Sequence, residues 1–144
     1  MDFKNRRRLI LGKSLLPLIV WNNKMSSLEE IPVEYTTTGA SVVSSASGSS
    51  IEITFIPGMM KQNFIFKIPK KYVKKAKQCN IEWYIKTGYM VCNVTIACNG
   101  QTIRDLATEN SQTRIFTPDI SAFTDDMTIT FTGSEVRIYN LILE

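Results

Sequence analysis

The chain has 144 residues, 44% hydrophobic and 21% charged, with a formal net charge of +4, three cysteines and no histidine. That length bounds it to one domain of ordinary size with enough apolar side chain for a core, and the composition excludes a disordered chain. Without histidine the commonest general base and the Ser-His-Asp arrangement are excluded, and no Gly-rich phosphate loop occurs.

The first distinctive element is Leu9 to Val20, LILGKSLLPLIV, which follows Arg6-Arg7-Arg8. A membrane span needs about 20 apolar residues; this run is shorter and holds Lys13 and Pro17. A secretory signal shares the basic start and apolar centre but calls for small residues at a cleavage site, where this chain has Trp21-Asn22-Asn23-Lys24. The remaining reading is a docking arm over residues 1–30, extended or partly helical. It carries Arg6, Arg7 and Arg8, and it buries Leu9, Ile10, Leu11, Leu15, Leu16, Ile19 and Trp21 on its own domain or on a partner. A helical turn in Ser26-Ser-Leu-Glu-Glu30 would separate it from a body over residues 31–144.

The body reads as strands. The serine-rich segment 38–50 holds the paired Val42 and Val43, which argue for a short strand rather than a linker. Ile51, Ile53 and Phe55, then Phe64, Phe66 and Ile68, alternate with mostly polar neighbours, the mark of strands with one buried face. Pro69 to Ala76 predicts a short helix that puts Tyr72, Val73 and Ala76 on one face. Ile81, Trp83 and Ile85 alternate again, as do Met90, Cys92, Val94, Ile96 and Cys98. Asn99-Gly100 predicts a type I′ hairpin pairing 90–98 with 101–106, because both residues tolerate positive φ. Pro57-Gly58 and Thr132-Gly133-Ser134 mark further turns. Pro118 to Phe123 reads as a single turn with Asp119 as a cap. Met127, Ile129 and Phe131 form another strand, and the run Val136 to Leu143 breaks its alternation near Asn140, which predicts a bulge.

Charge is unevenly placed. Residues 1–30 carry +3, residues 61–86 carry +7 and the rest −6, so the field could orient the molecule on an acidic surface. The lysines at 70, 71, 74, 75 and 77 lack the arginines and interleaved aromatics of a single-strand binder, and a solvated lysine-rich turn is the plainer reading. Nucleic acid is therefore not a favoured partner. Cys79, Cys92 and Cys98 are odd in number, which points to reduced thiols. Cys92 and Cys98 lie on one side of a strand about 20 Å apart, too far for a disulfide. Lacking CxxC spacing and histidine, the chain offers no zinc site, and no metal or cofactor is expected. The thiols read as small core residues. Asp125-Asp126 reads as a turn rather than a catalytic carboxylate pair, so the chain is expected not to be an enzyme.

The many short strands separated by turns indicate an all-β fold, a sandwich or barrel. Residues 62 to 144 resemble the galactose-binding-like jelly-roll domains that include many carbohydrate-binding modules. The likeness rests on Asn80-Ile-Glu-Trp-Tyr-Ile-Lys86 after a lysine-rich turn, the Asn99-Gly100 hairpin, Thr117-Pro-Asp-Ile-Ser-Ala-Phe123 and the ending Glu135-Val-Arg-Ile-Tyr-Asn-Leu-Ile-Leu143. It implies an antiparallel jelly-roll β-sandwich preceded by the extended arm, which has no counterpart in those domains.

This fold hosts sugar binding, protein binding and structural roles alike. Sugar binders present exposed aromatic faces beside a few polar groups, and parity selects Tyr84 and Tyr89, with Asn93, Gln101 and Arg104 near in sequence. Trp83 has core parity, and for Tyr84 cross-strand packing is the competing role. Three functions follow. The leading one is a structural or attachment component of a phage virion, a capsid decoration or tail protein present in the host cytoplasm during assembly. Its arm docks into a protein scaffold and its sandwich is displayed outward, where host glycans are within reach; it is monomeric or a homo-oligomer. The alternative is a carbohydrate-binding module, secreted if the arm is a signal. The third is a nucleic-acid-associated protein using Arg6 to Arg8 and the lysine run.

Overall fold

The computed structural model describes residues 16–45, 48–56, 62–86, 92–107 and 112–144. Eleven strands among these residues form two antiparallel sheets, a sandwich of the jelly-roll kind. The six-stranded sheet contains β1 (Leu18–Trp21), β3 (Ala40–Ser45), β4 (Ser50–Phe55), β6 (Cys79–Lys86), β9 (Gln112–Phe116) and β11 (Glu135–Leu143), in the order β3-β4-β11-β6-β9 with β1 also paired to β11. The five-stranded sheet has the order β2 (Glu34–Thr38), β5 (Asn63–Ile68), β10 (Met127–Thr132), β7 (Cys92–Cys98) and β8 (Gln101–Ala107).

Period-two alternation builds the core. On β7, Cys92, Val94, Ile96 and Cys98 are buried and the residues between them half-buried; Met127, Ile129 and Phe131 repeat the pattern on β10. All three thiols are free and buried. An aromatic cluster joins the layers: Phe66 of β5 meets Phe131 of β10 edge-on at 6.1 Å, and Phe131 meets Trp83 of β6, across the sandwich, at 6.2 Å. Such ring pairs add about 0.5–1.5 kcal/mol each beyond the area they bury.

The Asn99-Gly100 hairpin is as expected: Asn99 has φ 51° and Gly100 φ 84°, and Cys98 faces Gln101 in the β7–β8 register. Helix α1 (Lys70–Val73) follows Pro69 and buries Val73; it stops short of the expected Ala76, which is buried in the turn beyond it. A 3-10 turn at Leu28–Glu30 is held by a reciprocal cap between Ser27 and Glu30. Its backbone hydrogen bonds from Ser26 and Ser27 keep the Glu30 carboxyl below the usual range. The Asp119 carboxylate accepts from the Ser121 N–H and hydroxyl at 2.8 and 2.6 Å, which also lowers its pKa. In β11 the register against β6 shifts between Ile138 and Asn140, so Tyr139 is the bulged residue.

One boundary moves. The body does not begin at residue 31: Leu18–Trp21 pairs with β11, and Leu18, Val20 and Trp21 are buried in the shared core. A second bulge, between Ile19 and Trp21, turns Val20 and Trp21 inward together, and the Trp21 indole N–H donates to the Ser49 carbonyl at 2.7 Å. Trp21 is thus buried on its own domain, Leu16 packs against the same core, and Ile19 faces solvent. The arm residues Arg6, Arg7, Arg8, Leu9, Ile10, Leu11 and Leu15 lie outside the described residues, as does the Pro57-Gly58 turn. Among the described residues no helix is long and apolar enough to cross a membrane.

Candidate glycan-binding face

The outer face of the six-stranded sheet gathers the polar and aromatic groups that its strands turn away from the core. Register places Glu52 of β4, Arg137 of β11, Tyr84 of β6 and Thr113 of β9 in one row across four strands. Arg137 organises that row. Its Nε lies 3.5 Å from Glu52 Oε1, and its guanidinium carbon sits 5.3 Å from the centre of the Tyr84 ring. A side-chain hydrogen bond with Tyr139 raises the Arg137 pKa, an effect that burial opposes and the charge of Glu52 reinforces. A cation held over a ring in this way is worth about 0.5–1 kcal/mol at an exposed site.

The β11 bulge gives this face its relief. Because Tyr139 is the extra residue, it and Asn140 stand beside Glu82 of β6 instead of following the alternation. Tyr139, Asn140, Glu82, Thr113, Asn23 and Gly48 line an open depression of about 460 Å³, within the roughly 300–1,000 Å³ usual for small-ligand clefts. Chemically it offers one phenol ring, a carboxylate that only accepts, two amides that donate and accept, and a hydroxyl. The set suits a neutral polyol.

Of the residues selected from sequence, Asn93 and Arg104 are brought together, but on a different sheet from Tyr84. Tyr84 stands on this face, and its cross-strand partner Arg137 fulfils the packing role. Asn93 and Arg104 belong to the five-stranded sheet and project from its outer face, on the opposite side of the sandwich. There Arg104 Nε donates to Thr95 Oγ1 at 3.4 Å, and the Thr95 hydroxyl donates to Asn93 Oδ1 at 3.2 Å. Gln101 lies at the base of the β7–β8 hairpin, exposed. Tyr89 lies outside the described residues. Nearness in sequence failed as a guide because β6 and β7, although consecutive, belong to different sheets. Tyr139, Asn140, Glu82 and Arg137 were overlooked; the broken alternation near Asn140 was the signal that marked them. No group of three or more potential metal-ligating side chains occurs among the described residues.

No family model matches the chain, and no curated protein does. Solved structures do. A family 29 carbohydrate-binding module complexed with mannohexaose is 12% identical with a TM-score of 0.59, covering 87% of this chain and 88% of that one. One complexed with cellulohexaose is 11% identical with a TM-score of 0.61, covering 87% of each. The enzymatically active domain of tailspike protein 4 from bacteriophage CBA120 is 11% identical with a TM-score of 0.53, and the match covers 88% of this chain but 22% of that one. At such identities the likeness is one of fold: this chain has the sandwich of the family 29 carbohydrate-binding modules.

Proposed function

We propose that the chain is a carbohydrate-binding module that holds a neutral oligosaccharide on the outer face of its six-stranded sheet without catalysing a reaction. The observation that carries this is the depression at the β11 bulge, where Tyr139 stands among Glu82, Asn23 and Asn140 with the Tyr84–Arg137 pair beside it. A sugar ring has an apolar face that stacks on an aromatic and a rim of hydroxyls that needs both donors and acceptors. The family 29 modules of the same fold, complexed with mannohexaose and cellulohexaose, support the reading. Calorimetric titration with those two hexasaccharides is the test. Binding is expected, with Tyr139→Ala weakening it at least tenfold. Absence of binding to both, or binding indifferent to that substitution, overturns the proposal.

A second reading has one observation in its favour, the likeness to the phage tailspike domain. In it the module is the displayed, glycan-contacting part of a virion and the N-terminal residues attach it to a protein scaffold. Because β1 belongs to the sandwich, the informative deletion removes residues 1–15 and stops short of Leu18. Undiminished incorporation of that variant into particles would dispose of the attachment role.

A further inference from the structure

A second depression, of about 540 Å³, opens at one end of the five-stranded sheet, where β2, β5, helix α1 and β10 meet. Its inner wall is apolar: exposed Pro32 and Pro69 and half-buried Val33 line it, backed by the core residues Ile68 and Met127. Its rim is polar and balanced in sign, with Lys67 and Lys71 answered by Glu34 and Asp126. Asp126 Oδ1 accepts the Lys70 backbone N–H at 2.9 Å, which leaves the other carboxylate oxygen for a ligand. Tyr72 contributes a half-buried ring, with Lys71 Nζ 5.2 Å from its centre. Among the described residues neither Lys67 nor Lys71 is held in an ion pair.

Two amines that donate, two carboxylates that accept and a phenol ring on an apolar floor form the complement of a neutral sugar. No net charge favours an anion or a cation. The depression matches the first in size, yet it lies with Glu34, Lys67 and Thr128 on the side of the sandwich that faces away from Tyr84 and Tyr139. We propose that this depression is a second saccharide site, so that one module holds two glycan chains on opposite faces and cross-links polysaccharide. This rests on the saccharide-binding reading of the chain, and the two are separable by experiment.

Calorimetric titration with mannohexaose and cellulohexaose is expected to give two ligands per chain. Tyr72→Ala, and independently Lys67→Met with Lys71→Met, should each reduce that to one, and Tyr139→Ala should remove the other. The lysine changes leave the core intact, so they report on binding where a tyrosine change alters folding. A soluble mannan mixed with the unaltered protein should become turbid, and with either single-site variant stay clear. One ligand per chain, lost with Tyr139→Ala and unaffected by the Tyr72 and lysine changes, overturns the second site and leaves the first standing. No ligand at all overturns both. Capture of a peptide by the unaltered protein through Tyr72 and Lys71, with no hexasaccharide there, also counts against the sugar assignment.

Discussion

The carboxylate of Asp105 on β8 and the guanidinium of Arg114 on β9 meet at 2.5 Å and tie the edge strand of one sheet to the edge strand of the other. Arg114 Nε reaches Asp105 Oδ2 at 3.0 Å, and the Trp83 indole N–H donates to the same oxygen at 3.0 Å. A carboxylate 11% exposed is thereby supplied with three charge-assisted or buried donors. Arg114→Leu, which removes the cation and leaves the anion, should cost about 2–4 kcal/mol in urea denaturation, whereas Arg114→Leu with Asp105→Leu should cost less than the single change. A double variant as damaged as the sum would show that the two residues act independently.

Burial pushes the Cys79 thiol from its ordinary 9.0 up to about 12. A thiol held protonated in the fold and ionised more easily when unfolded contributes stability that is intact below about pH 9 and lost as pH rises towards 12. At one unit per 1.36 kcal/mol, stability should be lower by about 2 kcal/mol at pH 10.5 than at pH 8. Tyrosines and lysines titrate there too, so the comparison is with Cys79→Ala, whose pH dependence should be shallower. The native thiol should also resist alkylation at pH 8, since the thiolate is the reactive form.

At the β10–β11 turn Gly133 has φ 153°, and a Cβ there would lie 2.4 Å from Cys92 Sγ. Gly133→Ala is expected to lower stability by about 1–3 kcal/mol through overpacking, with partial recovery when Cys92→Ala is added. Equal stabilities for Gly133→Ala and the parent would mean the turn has room that this geometry denies it.

Trp21, fully buried and hydrogen-bonded to Ser49, should cost about 3–5 kcal/mol when changed to alanine. Deleting residues 1–15 removes nothing from β1 and should leave the thermal midpoint of the sandwich within a few degrees of the parent. A marginal Trp21→Ala effect would place the tryptophan outside the cooperative core.

Arg137→Met keeps the stem length and removes the charge that holds Glu52, Tyr84 and Tyr139 together. Hexasaccharide binding is expected to weaken about three- to tenfold with the fold preserved, and Arg137→Lys to restore part of it. Unchanged affinity in Arg137→Met would remove the arginine from the site.

Strands that bury every second side chain could be read directly from the sequence, because β5, β7 and β10 each place three or four apolar residues on one side. Strand β9 could not. Its inward residues are Gln112, Arg114 and Phe116 and its outward Ile115 is 72% exposed, so the usual polarity is partly inverted. The reversal makes sense only once Asp105, from the other sheet, is seen to face Arg114. Strand β2 hid for a related reason: an edge strand reading Glu-Tyr-Thr-Thr-Thr commits little beyond Tyr35 to the core, which stacks on Phe64 at 5.3 Å. Strand β1 was masked by the arm pattern, since a bulge that buries two consecutive residues produces an unbroken apolar run. The candidate site was half legible, as Tyr84 and the bulge could each be found locally. Their adjacency depends on the pairing of β6 with β11, some fifty residues apart, which no short-range pattern encodes.

The middle strand of each sheet comes from the last part of the chain: β10 lies between β5 and β7, and β11 lies between β4 and β6 while also holding β1. During synthesis, everything up to residue 126 emerges as flanks without a centre: β5, β7, β4 and β6 have β2, β8, β3 and β9 on one side but an unpaired edge on the other, and β1 has no partner at all. Unpaired strands of this kind invite pairing with other chains. The two sheets therefore close only once β10 and β11 are made, and the interval before Leu143 appears is when pairing with a neighbouring nascent copy is most open.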